Sequence, residues 1–159
     1  MERQFVSFDV ADNKYCIDIM DVKEVVRETN ITAMPDAPFF VEGIMNLRGI
    51  VIPVISVKKK LGLATDDIKA IDMAKEKALK MIIVSLDNIL IALIVDNLDR
   101  VFSVDISQIQ TPEKVTDANI DKNMIDGMVK IEQTIYLLLD IKRILDLQEK
   151  AFIESEIAE

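Results

Sequence analysis

Residues 42–57, EGIMNLRGIVIPVISV, decide the fold. Ile44 to Leu47 lead in, Arg48-Gly49 turn, and Ile50 to Val57 lead out, which reads as a β-hairpin. Gly49 can take the positive φ that a tight hairpin turn needs, with no Cβ to clash. The second arm is a nearly unbroken apolar run, the pattern of a strand buried on both faces. Pro53 has no N–H to donate, so the pattern predicts a bulge or a sheet edge there. The turn lifts one arginine out of this apolar stretch. From local pattern alone Arg48 reads as a solvated turn residue.

Composition narrows what such a hairpin can serve. The chain has 159 residues, half of them apolar, with 5% aromatics and no tryptophan. That suits one domain or two small fused ones, with aliphatic side chains filling strand-built cores. A net charge of −9 argues against nucleic acid and against an anionic membrane surface. Histidine is absent, which removes the commonest general base and metal ligand. The single cysteine, Cys16, lies in the alternating run Tyr15-Cys16-Ile17-Asp18-Ile19 and reads as a small buried hydrophobe. One cysteine makes no intrachain disulfide and fits a reducing compartment. The N-terminal MERQFVSFDV has no apolar signal core, and no run approaches the roughly 18 apolar residues of a membrane helix. A cytoplasmic location is therefore expected.

Working outward from the hairpin, residues 4–10 and 15–19 read as strands around a polar turn. Val22 to Arg27 fits either a strand or a helical turn. Ile31 to Pro38 is extended, and Phe39 to Glu42 is expected as a short turn of helix. Residues 65–80 read as a helical linker. Asp66 and Asp67 open it, and Lys75, Lys77 and Lys80 close it, as a helix dipole favours. Met81 to Leu86 and Ile89 to Val95 are strands around Asp87-Asn88. Asp140 to Leu147 reads as a short helix, extendable through Ala151, before an acidic tail.

The second half then repeats the first. Aligning Cys16 with Ala92 sets Ile17 on Leu93, Val22 on Leu98 and Glu24 on Arg100. Aligning Gly43 with Gly127 sets Leu47 on Ile131, Val51 on Ile135, Val54 on Leu138 and Leu61 on Leu145. A shared glycine in one apolar register indicates internal duplication. The expected fold is mainly β: two similar small barrels related by a pseudo-twofold. Leu47, Val51, Val54, Ile131 and Leu138 are the expected core. The turn itself is not repeated. Asn46-Leu47-Arg48-Gly49 lies over Lys130-Ile131-Glu132-Gln133, with the charge reversed at Arg48. A feature that one copy keeps and the other reverses is a candidate for function.

No catalytic apparatus accompanies it. There is no glycine-rich phosphate loop, no metal-ligand cluster at a recognisable spacing and no distinct carboxylate pair. No cofactor is expected. Apolar surface and one distinctive charged turn on a compact frame are what an interaction module offers.

These residues resemble a known family. Gln4-Phe5-Val6, Tyr15 to Ile19, Val22 to Arg27, Ile31-Thr32 with Pro35, and above all Gly43-Ile44-Met45-Asn46-Leu47-Arg48-Gly49-Ile50-Val51-Ile52-Pro53-Val54 are similar to CheW, the adaptor of bacterial chemotaxis. The likeness runs on through Leu93 to Asp96, Gly127 and Leu137 to Asp140. It implies two five-stranded SH3-like barrels with short helices, a helical linker and a C-terminal helix. The CheW-like domain would span residues 1–147, with subdomain one at 15–79 and subdomain two at 1–14 plus 80–147. The N-terminal strand would join the second barrel, and 148–159 would be an acidic tail. The resemblance further implies a non-catalytic scaffold linking the cytoplasmic tip of a chemoreceptor to the regulatory domain of the histidine kinase CheA. Carried over by position, Arg48, Glu24, Val22, Asn46, Leu47 and Gly49 form the partner-binding surface. Arg48 and Glu24 are expected to lie together on the first barrel, partly exposed, at the mouth of an apolar groove between the barrels. The chain departs from the family pattern at Cys16, where glycine is usual, and at Ser56, where aspartate is usual. Other readings are the CheW-like part of CheV, an isolated CheA regulatory domain, or a small β-barrel enzyme or ligand-binding barrel.

Overall fold

The computed structural model describes residues 1–28, 30–63, 78–111 and 124–157. Alternating residues give β1 (Glu2–Val10) and β2 (Asn13–Asp18), paired antiparallel around Ala11-Asp12. The ambiguous stretch is a strand, β3 (Val22–Glu28). The central hairpin is β4 (Val41–Leu47) with β5 (Ile50–Ser56), followed by a single helical turn, α1 (Val57–Lys60). Beyond the linker come β6 (Leu79–Leu86), β7 (Ile89–Val95), β8 (Asn97–Asp105) and the two-residue β9 (Ile109–Gln110). The chain closes with β10 (Ile125–Ile131), β11 (Thr134–Leu139), a 3-10 turn at Ile141–Arg143 and α2 (Leu147–Ile157).

These strands form two sheets, the walls of two SH3-like barrels. The first barrel has the order β3-β6-β7-β5-β4 and the second β8-β1-β2-β11-β10-β9. Each half of the sequence lends its leading hairpin to the other barrel. Thus β1–β2 sits with β8 to β11, and β6–β7 sits with β3 to β5. The resemblance led us to expect a swap of the N-terminal strand alone. The expected boundaries at 14/15 and 79/80 fall inside β2 and β6. The reason is local. A two-residue turn and a full antiparallel ladder bind the strands of a hairpin to each other, so they move as one unit.

The pseudo-twofold extends to individual pairings. Val54 pairs in parallel with Ala92, and Leu138 with Cys16. A bulge between Val41 and Gly43 in β4 recurs between Ile125 and Gly127 in β10. The reason for both glycines is contact: a Cβ on Gly43 would stand 2.2 Å from the Thr32 carbonyl oxygen, and one on Gly127 would stand 2.6 Å from that of Gln110. Even the extra strand is matched. β9 pairs with β10, and the isolated Thr32–Ile44 bridge stands in its place on the first barrel.

Alternation along the strands fills three cores. Met45, Ile52, Val54, Met81, Ile83 and Ala92 fill the first barrel. Phe5, Cys16, Phe102, Val129, Tyr136 and Leu138 fill the second. A larger central core between the barrels takes the opposite faces, including Phe8, Ile17, Ile55, Ile82, Leu93 and Leu139. Cys16 is buried beside Leu138, and burial pushes its thiol pKa up to about 12, so it is an inert hydrophobe.

Several expectations need correction. Phe39-Phe40 form a turn closed by the Val41 N–H donating to the Pro38 carbonyl, and Val41-Glu42 are already strand, so there is no helix over 39–42. Leu79 and Lys80 belong to β6, so no helix reaches residue 80; the rest of the expected linker helix, 64–77, lies outside the described residues. Val54 and Leu138 are buried, but Leu47 and Ile131 are half-buried and Val51 is 43% exposed. Val51 shares a face with Ile55, and that face meets the central core only at the Ile55 end. Pro53 fits its strand because the parallel ladder to β7 begins one residue later, at Val54.

Candidate functional site

The site is the tip of the β4–β5 hairpin together with the edge strand β3. Arg48 and Gly49 both have positive φ, +50° and +87°, the pattern of a type I′ turn. Arginine is unusual there. Asn46 compensates: its Oδ1 accepts the Gly49 N–H at 2.8 Å and braces the loop from within. On β3, one extra residue between Val22 and Glu24 makes a bulge against β6. The two devices bring opposite charges together across the barrel. The Arg48 guanidinium donates to the Glu24 carboxylate.

The pair is open to solvent, with the Arg48 side chain 67% exposed and that of Glu24 33%. The hydrogen bond to Glu24, and then its charge, raise the Arg48 pKa above its ordinary value. Such a pair adds little to folding. Apolar surface lies directly beside it. Ile50, opposite Leu47 on β4, and Val51, opposite Asn46, are both exposed. An exposed guanidinium is the side chain that protein-binding hot spots favour, and exposed aliphatic side chains flank it here. Among the described residues no group of His, Cys, Asp and Glu side chains could hold a metal ion.

Of the residues singled out in the sequence, Arg48, Glu24, Asn46 and Gly49 meet at this tip. Leu47 packs against the core of the first barrel and Val22 against the central core, so they anchor the two strands from beneath. The apolar surface beside the pair is Val51 on the outer face of β5 and Ile50, which points to the opposite face at the open end of the strand. The described clefts around Arg3, Asp18 and Asp126, and around Lys142 to Gln148, are lined by neither Arg48 nor Glu24. Val51 is the functional candidate the sequence reading placed wrongly. No signal in the unbroken apolar run of residues 50–55 marks it.

The same position on the second barrel is built differently. Glu132 occupies the tip with φ +56°, but Arg100, the counterpart of Glu24, does not turn to it. Its Nε donates to the Tyr136 hydroxyl at 3.2 Å, and its guanidinium lies 5.7 Å from the ring centres of Phe102 and Tyr136. Apolar exposure is nevertheless repeated. Val101 and Ile135 are exposed where Val25 and Val51 are. The molecule thus presents two equivalent faces with the charges reversed.

An internal ion pair also emerges from the duplication. Lys59 Nζ lies 2.6 Å from Glu42, with side chains only 8% and 4% exposed, and near the Phe39 ring. Its counterpart is Arg143 with Asp126, at 2.9 Å and open to solvent. The alignment of Gly43 with Gly127 sets Lys59 over Arg143 and Glu42 over Asp126, and the fold then brings each cation to its carboxylate.

Comparison with known proteins agrees with this geometry. Residues 4–149 match the CheW-like domain family. The chain is 32% identical over 146 residues to the chemotaxis protein CheW of Treponema pallidum (strain Nichols), covering 92% of this chain and 84% of that protein. It is 28% identical over 142 residues to the probable chemotaxis protein CheW of Rhizobium etli, covering 89% and 86%. Among solved structures it resembles the scaffolding protein TtCheW of Thermoanaerobacter tengcongensis, with 34% identity, a TM-score of 0.79, and coverage of 94% of this chain and 96% of that one. With the family match running nearly end to end and the paired barrels in place, this chain belongs to the CheW-like domain family.

Proposed function

We propose that this protein is a chemotaxis coupling adaptor, a non-catalytic scaffold that holds the cytoplasmic domain of a chemoreceptor and the regulatory domain of the histidine kinase CheA in one cytoplasmic assembly. The observation that carries the reading is the solvent-open Arg48–Glu24 pair beside exposed Ile50 and Val51, on a face whose counterpart carries Arg100 and Glu132 instead. An adaptor needs two surfaces that do not compete. Duplication followed by charge reversal supplies two surfaces of the same shape and different preference. In this reading Arg48 is the anchor, Glu24 orients it, and Asn46 and Gly49 hold the turn that presents it. Leu47 and Val22 set the height of the two strands.

The names of the relatives, chemotaxis protein and scaffolding protein, point the same way. The sequence has no histidine, and its one thiol is buried and held protonated, so turnover by this chain alone is not expected. The test is reconstitution from a receptor cytoplasmic fragment, the CheA kinase and this protein. A ternary complex should form only with all components present, and kinase activity should rise with it. Hydrolysis of ATP by this chain alone, or failure to bind either component, would refute the proposal.

A further inference from the structure

The acidic C-terminus, expected as a tail, is the helix α2, and its seat is unlike the rest of the fold. It continues from β11, the last strand of the second barrel, and docks on the first barrel against β5. Glu149 closes a capping box, donating its N–H to Asp146 Oδ1 at 2.7 Å and accepting the Asp146 N–H at 2.8 Å. The same carboxylate receives Lys60 Nζ at 2.7 and 2.9 Å, and that ammonium lies 4.3 Å from the centre of the Phe40 ring. Lys150 reaches back to Asp87 in the β6–β7 turn. Ile153 is fully buried in the central core with Phe152 packed against it, while Leu147 and Ala151 face solvent.

A helix of 11 residues is marginal in water on its own, so its order comes from docking. Among the described residues its docking rests on two apolar side chains and two ion pairs, whereas the strands beneath are held by ladders and cores on both faces. We propose that α2 is a latch: it opens as a unit, independently of the two barrels, and the Lys60–Glu149 pair sets how often it does so. Opening uncovers the end of the central core where Ile153 packs and releases Lys60 from its carboxylate. The Lys60 and Glu149 side chains are only 13% and 19% exposed and in direct contact, so salt screens this pair little, and loss of its charge is what loosens the latch.

Hydrogen exchange on the full chain tests this, comparing amides of residues 150–155 with those of β6 and β7. Exchange in α2 should be the faster. Lys60→Met keeps the aliphatic stem near Phe40, drops the charge and leaves the capping box intact. It should speed α2 exchange by at least about threefold, because Glu149 is left in its covered seat without that cation, and leave the strand amides unchanged. Exchange of α2 at the strand rate, or α2 exchange unchanged by Lys60→Met, would overturn the proposal. If Lys60→Met fails to fold, Glu149→Gln, which removes the charge from the other side of the pair, decides in the same way.

Discussion

At the tip of β4–β5 the first barrel holds Arg48 against Glu24; at the matching tip of β10–β11 the second holds Glu132, while Arg100 lies beside Tyr136 and Phe102. Beneath these tips the barrels agree closely. Both carry the bulge glycine, the parallel joint to the exchanged hairpin, and a cation on the turn after the hairpin facing a carboxylate at its base. What both copies keep serves folding, since each barrel must close in the same way. What they do not share is free to serve separate partners. The buried state of Lys59–Glu42 against the open state of Arg143–Asp126 shows that even a shared contact changes its weight with its cover.

That last contrast predicts the largest effect. Lys59→Ala breaks a pair whose side chains are only 8% and 4% exposed and should cost about 3 kcal/mol or more of stability in urea unfolding. Arg143→Ala removes two solvent-open ion pairs, to Asp126 and to Asp140, and should cost about 1 kcal/mol or less. Equal costs would break the claim that cover separates them.

The glycines sharpen the comparison next. Gly43→Ala drives a Cβ into the Thr32 carbonyl at a φ of +149°, and should destabilise by about 3 kcal/mol or more. Gly49 has open space around its Cβ position and a φ of +87°. Gly49→Ala should therefore cost only about 1 kcal/mol, from backbone strain alone. A reversed order in denaturant titrations would contradict the close-approach account.

A smaller effect is expected at Asp21. Burial, and then the charge of Asp18, raise its pKa above the ordinary 3.8. A raised carboxylate pKa means the fold disfavours the ionised form. That penalty is complete above the folded pKa and vanishes as pH falls below the ordinary value. Asp21→Asn should raise the melting temperature by about 1–2 °C at neutral pH and leave it unchanged near pH 3. A loss at neutral pH would mean the carboxylate is needed by Lys142 or Arg3.

The sequence carried the hairpins, the duplication and the charged tip, because each rests on local pattern. Gly49 marked a turn, Gly43 and Gly127 fixed a register, and the reversal from Arg48 to Glu132 needed only alignment. Val51 was misplaced because an unbroken apolar run hides which residues face solvent; only the neighbouring strand β7 decides that, and it covers Val54 to Ser56. The exchange of whole hairpins was not legible. The two halves have the same apolar faces, so β1–β2 suits either barrel until the tertiary pairing is known. α2 was underestimated because its apolar positions form no clear stripe, and its docking depends on Lys60 and Asp87, both far away in sequence.

The central claim is that the Arg48 tip is for binding and the frame beneath it for folding. Arg48→Ala, followed by a melting curve and by binding isotherms against a receptor cytoplasmic fragment and the CheA regulatory domain, tests it most directly. The melting curve should shift by less than the equivalent of about 1 kcal/mol. Affinity for at least one partner should fall by about 2 kcal/mol or more, because a desolvated partner group is left unpaired. Arg48→Glu should bind worse still and fold, since Glu132 holds the matching turn in the second barrel. A variant that unfolds would make Arg48 a brace of the fold, and one that folds and binds both partners normally would place the interaction surface elsewhere.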